Sequence, residues 1–304
     1  MKKILVTGSN GLLGQKLTDI SISDKGIELI ATSVGANRHP VKSGYIYEEF
    51  DIRNVERLIE LVEKYRPDAI INTAAMTNVD TCESERALCE ELNVLAVGNL
   101  VSVCEKYNIH LVHVSTDFIF DGEDGPYPED AEPNPLSYYG LTKLQAENLL
   151  KSSSSRWAIL RTIIVYGIVS DMSRSNIVLW AKEALEKGAP INVVNDQWRM
   201  PTLAEDLAIG CILSVKKEAE GVFNVSGKDM MSILEIVERV ADFYGLDKSL
   251  INPISAESLN QTARRPGRTG FVLEKAIHQL GYQPRSFEEG MEVLDMQLKL
   301  RQTS

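Results

Sequence analysis

The stretch K-I-L-V-T-G-S-N-G-L-L-G, residues 3 to 14, restricts the fold more than any other part of the chain. Lys3 to Thr7 reads as a buried strand, and Leu12, Leu13, Leu17 and Ile20 then recur at helical spacing. Between them Gly8, Gly11 and Gly14 form G-x-x-G-x-x-G. A tight turn out of a strand needs φ freedom at the first glycine. Close approach of a phosphate needs no Cβ at the second, and helix-on-strand packing favours the third. The helix start adds free N–H groups and the positive end of a dipole. In this context the turn predicts a dinucleotide site built from Gly8, Asn10, Gly11, Leu12, Leu13 and Gly14.

The rest of the first half continues the alternation. Strands are expected near 27–32, 46–50, 68–72, 109–115 and within 157–165. Helices are expected near 55–65, 87–107 and 136–151. Such alternation predicts a mostly parallel, doubly wound α/β sheet with helices on both faces. The second half is less regular, with helices near 175–187, 203–216, 231–245 and 286–301 and strands at 191–194 and 222–225. The expected organisation is a dinucleotide-binding unit over 1–167, with return segments at about 190–225. A mainly substrate-binding part fills 168–304.

Composition narrows the function classes. Net charge is −11, so a basic nucleic-acid-binding surface is not expected. No apolar stretch approaches the ~20 residues of a membrane span, and the apolar run Ile4 to Val6 is too short for a signal peptide. Cys82, Cys89, Cys104 and Cys211 lack C-x-x-C spacing. Reduced thiols in a cytoplasm fit them better than a metal or disulfide framework. His39, His110, His113 and His278 are scattered, and His110 and His113, in an apolar strand, read as structural.

The end of strand two separates the nicotinamide cofactors. An acid there binds a free ribose 2′-OH, and an arginine accepts a 2′-phosphate. This chain has Ser33 and then Arg38, which favours NADP(H) while leaving NAD(H) open. Asp51 and Ile52 stand where an adenine pocket is expected; Asp51 equally suits a helix N-cap.

Tyr138 and Tyr139 precede Lys143 on one helix. Residues four apart share a helix face, so Tyr139 is the partner of Lys143. A nearby ammonium lowers a phenol's pKa, which otherwise sits near 10. Ser115 and Thr116 end the fifth strand, at the sheet edge where ligands bind. The small residues Ala74 and Ala75 after strand four leave room for a cofactor.

This constellation resembles the extended short-chain dehydrogenase/reductase family, over roughly residues 1 to 167. The resemblance implies a Rossmann-like sheet, a proton-transferring Tyr139, a ribose-binding Lys143, a substrate-steadying Thr116, and Asn93 supporting the lysine through water. Within that family the chain is most similar to the dTDP-4-dehydrorhamnose reductases. The matching pieces are N-T-A-A-M-T-N-V-D (72–80), V-S-T-D-F-I-F-D-G (114–122), Y-Y-G-L-T-K (138–143), L-R-T-I-I-V-Y-G (160–167), D-Q-W-R-M-P-T (196–202) and A-R-R-P (263–266). They imply a nucleotide-linked 4-keto-6-deoxy sugar substrate, touching Thr77, Asp117, Phe118, Arg199 and Arg265. Gln197 and Arg199 are expected on a loop, with Arg199 and Arg265 on the pyrophosphate.

Two departures matter. Ile163 and Ile164 stand where such reductases often carry an aromatic, which predicts an aliphatic wall near the sugar. Gln15 and Lys16 replace an acid that helps some members bind a metal, so no metal is expected. A homodimer is compatible with the sequence. The rival readings are another dehydrogenase or epimerase of this family acting on a sugar nucleotide, and a non-catalytic subunit like the regulatory one of methionine adenosyltransferase.

Overall fold

The computed structural model describes residues 1–172, 175–259 and 261–302. The sequence's alternation appears as β1 (Lys2–Thr7), β2 (Ile27–Ser33), β3 (Ile46–Glu49), β4 (Ala69–Asn72), β5 (His110–Thr116) and β6 (Trp157–Thr162). Strand β7 (Ile191–Val194) lies outside the main sheet, and β8 (Gly221–Asn224) returns to it beside β6. The seven-stranded order is β8-β6-β5-β4-β1-β2-β3, every pair parallel. The chain winds one way from β1 and then restarts at β4 on its other side. The crevice for a ligand therefore opens above the ends of β1 and β4.

Successive strand residues face opposite sides, so the sheet carries two cores. Ile4, Val6, Ile71, Val112 and Leu160 pack against α1 (Leu12–Ser23) and α7 (Ala204–Lys216). Leu5, Ile30, Ile70, Leu111 and Ile159 pack against α2 (Val55–Tyr65), α4 (Arg86–Tyr107) and α5 (Tyr138–Lys151). A third core joins α6 (Ile177–Glu186), α8 (Ile233–Tyr244) and α9 (Phe287–Gln302) to β7, which pairs in parallel with β9 (Ile251–Ile254).

Three features depart from expectation. The short helix α3 (Val79–Ser84) precedes α4; Asn78 caps it by accepting from Thr81 N–H. Its six residues are too few to show helical periodicity in the sequence. Strand β9 contains Pro253, which hides an edge strand from pattern reading. Finally, α4 is 22 residues long and apolar enough to cross a membrane, contrary to the expectation that no stretch approaches that length. Its Ala96, Val97, Leu100 and Val103 are buried in the sheet core, which accounts for much of that apolarity.

Candidate active site

The glycine turn has the geometry the sequence implies. Gly8 has φ +71, and a Cβ there would lie 2.9 Å from Thr73 Oγ1. A Cβ on Gly14 would lie 2.4 Å from the Gly8 carbonyl, so α1 is seated directly on the turn. Gly11 caps α1 with no side-chain bond and no acid in the first turn. By contrast Asn54, Ser137, Asn176 and Ser232 cap α2, α5, α6 and α8 with side chains. The first amides of α1 are thus left for a ligand, as a pyrophosphate requires.

Two adjoining cavities share Gly8, Gly11, Thr73, Ala75 and Thr77. One, about 630 Å³, is lined by Asn10, Ser33, Arg38, Asp51, Ile52 and Ala74. Asn10 accepts from Arg38 N–H at 2.8 Å and donates to the Ala36 carbonyl at 3.0 Å, so it shapes the loop bearing Arg38. Arg38 is exposed, with Asp171 3.8 Å away. Asp51 pairs with Arg53 at 2.6 Å and does not cap α2, because Asn54 does.

The other cavity, about 480 Å³, is lined by Leu12, Leu13, Gly14, Thr116, Asp117, Phe118, Tyr139, Lys143, Ile164, Gln197, Arg199 and Arg265. The structure therefore brings the glycine turn, the hydroxyl, the phenol and the ammonium to one space. Ser137 caps α5 by accepting from Gly140 N–H. Gly140 is required there, since a Cβ would lie 2.1 Å from the Phe118 carbonyl. This close approach sets Tyr139 beside Thr116.

Burial raises the Tyr139 pKa above its ordinary value, and the Thr116 side chain partly offsets that rise. The expectation that Lys143 lowers it is not met in this structure, because desolvation of the phenolate outweighs the other influences. A phenol that keeps its proton is the form able to donate one. Burial also lowers Lys143 to about 8, while Glu147 works in the opposite direction. Lys143 Nζ donates to the Val114 carbonyl at 2.7 Å and lies 3.0 Å from His113 Nε2.

Asn93 and Arg199 are both tied to backbone groups. Asn93 is buried. It lies in a π turn of α4, accepts from Met76 N–H at 2.8 Å and donates to the Met76 carbonyl at 3.0 Å and to Thr142 Oγ1 at 3.3 Å. It thereby clamps the 73–77 loop along the cleft. Arg199 is buried in a two-residue strand paired with Met231–Ser232, not on a loop. Its guanidinium donates to the Trp198, Pro266 and Gly267 carbonyls, and Nε lies 3.7 Å from Asp117. That leaves little of it to hold a pyrophosphate. Asp117 is fully buried and its pKa is raised by that burial, against the pull of Arg199 and Thr269. Arg265 lines the cavity and pairs with Asp80 at 2.6 Å.

Of the two isoleucines, only Ile164 lines the cavity. Ile163 is buried among Ile119, Phe120, Met200 and Phe271, as strand alternation dictates. Ile164 has φ +30, a strained value for a β-branched residue. Lys16 pairs with Glu205 at 3.0 Å, and Gln15 accepts from Ser170 N–H. Among the described residues no group of three His, Cys, Asp or Glu is placed to hold a metal. Sequence reasoning missed His113 and Asp80. The H-x-S-T spacing that puts His113 on the strand ending in Thr116 was the available signal.

A probable low-salt glycan biosynthesis reductase of Haloferax volcanii is 30% identical over 301 residues, covering 95% of this chain and 96% of its own. The methionine adenosyltransferase 2 subunit beta of Xenopus laevis is 29% identical over 268 residues, 86% of this chain and 78% of its own. A dTDP-4-dehydrorhamnose reductase structure from Clostridium acetobutylicum superposes with a TM-score of 0.86 at 28% identity, covering 98% of this chain and 99% of that one. Another from Bacillus anthracis, in complex with NADP, gives 0.82 at 26% identity, with 97% and 99% covered. Residues 1–299 match the RmlD substrate binding domain, and the chain belongs to that family.

Proposed function

We propose that this protein is an NAD(P)H-dependent reductase of a nucleotide-linked 4-keto-6-deoxy sugar, similar to the dTDP-4-dehydrorhamnose reductases. The observation that carries this reading is the single cavity shared by the glycine turn, Thr116, Tyr139 and Lys143. The uncapped start of α1 and the Cβ-free turn at Gly8 and Gly11 suit a pyrophosphate. Ser33 and Arg38 favour a 2′-phosphate, and NAD(H) is the second choice. When bound, the nicotinamide supplies a hydride to the carbonyl carbon. Tyr139 gives its proton to the carbonyl oxygen, and Thr116 hydrogen-bonds that oxygen. Lys143 holds the ribose with the N–H not used by Val114 and His113. The segment 1–167 with the returning β8 forms the cofactor half, and the later residues Gln197 and Arg265 face the sugar nucleotide.

A third cavity of about 540 Å³ adjoins the second through Asn176, Gln197, Ile233 and Arg265, and Trp180 also lines it. Its position suits the nucleotide end of the substrate. The test is NADPH and NADH oxidation with dTDP-, GDP-, UDP- and CDP-linked 4-keto sugars. No oxidation with any of them, under conditions where cofactor binds, removes this reading.

The similarity to the methionine adenosyltransferase subunit favours a second reading, a partner-binding protein without turnover. The two separate cleanly, since only the reductase loses its activity on Tyr139→Phe.

A further inference from the structure

Below the cavity Lys143 meets a buried row of polar groups that the reductase chemistry does not use. Its Nζ lies 3.0 Å from His113 Nε2. On the other side of the ring, His113 Nδ1 lies 3.0 Å from Asn72 Nδ2, and Asn72 Oδ1 accepts from the Thr7 hydroxyl at 2.6 Å. Thr7, Asn72, His113 and Lys143 are each at most 2% exposed. The row therefore runs from α5 across β5 and β4 to β1, and its two ends, Lys143 and Thr7, line the two cavities.

A neutral imidazole offers one donor and one acceptor. Full burial holds His113 well below its ordinary pKa, with the Lys143 charge acting in the same direction. The ring is thus neutral, yet a nitrogen group faces it on each side. Two bond directions pair both ring nitrogens. With a neutral Lys143, Thr7 donates to Asn72, Asn72 N–H donates to Nδ1, and Nε2–H donates to the amine. That is the direction in which Asn72 faces the ring here. With a Lys143 ammonium, Nε2 accepts, the ring proton sits on Nδ1, and the Asn72 carboxamide makes a half turn to receive it. Mixed directions leave a buried donor or acceptor unpaired, which is costly.

We propose that His113 is a positioning residue whose tautomer is locked to the charge of Lys143. The Nδ1–H form holds the ammonium beside Tyr139, and the Nε2–H form accompanies the neutral amine. Other titratable groups face this pair. Glu147, on the same helix, favours the ammonium and is itself bonded to Arg161 of β6, Ser115 of β5 and Lys151. Cys89 of α4 acts on Lys143, while Asp117 and Cys82 act on Tyr139.

The tautomer claim stands independently of the substrate; its kinetic consequence rests on the proposed role of Lys143. Multiple-bond proton–nitrogen correlation spectra of ¹⁵N-histidine-labelled protein read the tautomer directly, with His113→Gln assigning the signal among four histidines. Between about pH 6.5 and about pH 9.5, on either side of the lowered Lys143 value, the pattern should change from Nδ1–H to Nε2–H. Its midpoint should fall near 8, the value to which burial lowers Lys143. In Lys143→Met it should be independent of pH. One tautomer throughout in the unmutated protein, or a change that survives Lys143→Met, overturns the proposal.

Kinetics give the second reading. His113→Leu should move the alkaline limb of NADPH binding down by about one pH unit or more and raise the KM for cofactor more than it lowers kcat. His113→Gln, whose Oε1 can accept from Nζ, should restore the limb. Leucine and glutamine variants that both keep the unmutated limb overturn it. If no ketosugar is turned over, the limb is still read by fluorescence titration of NADPH, so the two failures are distinguishable.

Discussion

Tyr138 and Tyr139, neighbours in the chain, leave α5 in different directions. Tyr139 is 9% exposed, lines the cavity and meets the Phe118 ring edge-on at 5.7 Å. Tyr138 reaches Glu90 with its hydroxyl at 3.4 Å, and Arg86 lies 4.9 Å over its ring. A helix advances about 100° per residue, so adjacent side chains cannot share one face. Only the second tyrosine sits over the same space as Lys143.

Tyr139→Phe should lower turnover of the ketosugar by ~10²-fold or more, since general acid catalysis contributes roughly 10²–10⁴-fold. NADPH affinity, measured by fluorescence titration, should change little. Tyr138→Phe loses only a bond to an exposed carboxylate and should retain most of the activity. A larger loss in Tyr138→Phe than in Tyr139→Phe would contradict the assignment of the proton donor.

Arg38→Ala should weaken NADPH and spare NADH. A charge-assisted phosphate contact contributes on the order of 1.5–3 kcal/mol. The lower end is expected here, because Arg38 is exposed and already faces Asp171. Parallel titrations with the two cofactors decide it, and equal affinities in the unmutated protein would rule out a 2′-phosphate site.

Glu147 and Arg161 form a buried bidentate pair, with bonds of 3.0 and 2.8 Å and both side chains at most 1% exposed. Arg161→Met strands the carboxylate and should cost roughly 3–5 kcal/mol in urea unfolding. Burial pushes the Glu147 pKa up, but Arg161, Lys151 and Ser115 outweigh it and hold it below its ordinary value of 4.5. Its contribution to stability is therefore complete above about pH 4.5 and is lost as pH falls through the lower, folded value. Midpoints measured between neutral pH and about pH 3 should fall less steeply in Arg161→Met than in the unmutated protein.

The cofactor half was legible because its signals are local. Strand, glycine turn and helix follow one another within 23 residues, and Tyr139 and Lys143 share one helix. The rest depends on contacts between distant segments. Asn93 is one polar residue among several on its helix in sequence, and only the fold shows the π turn that ties it to Met76. Ile163 and Ile164 look alike, yet one backbone turn at Ile164 separates core from cavity. His113 looks like a core histidine until α5 lays Lys143 against it. Arg199 and Arg265 look equivalent, and only the tertiary fold distinguishes a strut from a cavity wall.

That distinction gives the substrate prediction. Arg199 satisfies three backbone carbonyls and faces the buried Asp117, so Arg199→Ala removes several bonds and leaves Asp117 without its guanidinium. Its main effect should be lost stability, by roughly 3–5 kcal/mol if the pair behaves as a buried one. Arg265 lines both the reaction cavity and the adjoining 540 Å³ cavity, and its present partner, Asp80, is half exposed. A pyrophosphate could draw the Arg265 guanidinium away from Asp80 at small cost, since pairs exposed to water are weak. Arg265→Ala should therefore raise the KM for a nucleotide-linked 4-keto sugar by about tenfold or more, corresponding to roughly 1.5–3 kcal/mol for a charge-assisted bond. kcat and unfolding midpoint should change little. Steady-state kinetics of both variants, with urea unfolding alongside, separate the two roles. An Arg265→Ala enzyme with an unchanged KM for the nucleotide-linked sugar would remove Arg265 from the substrate site.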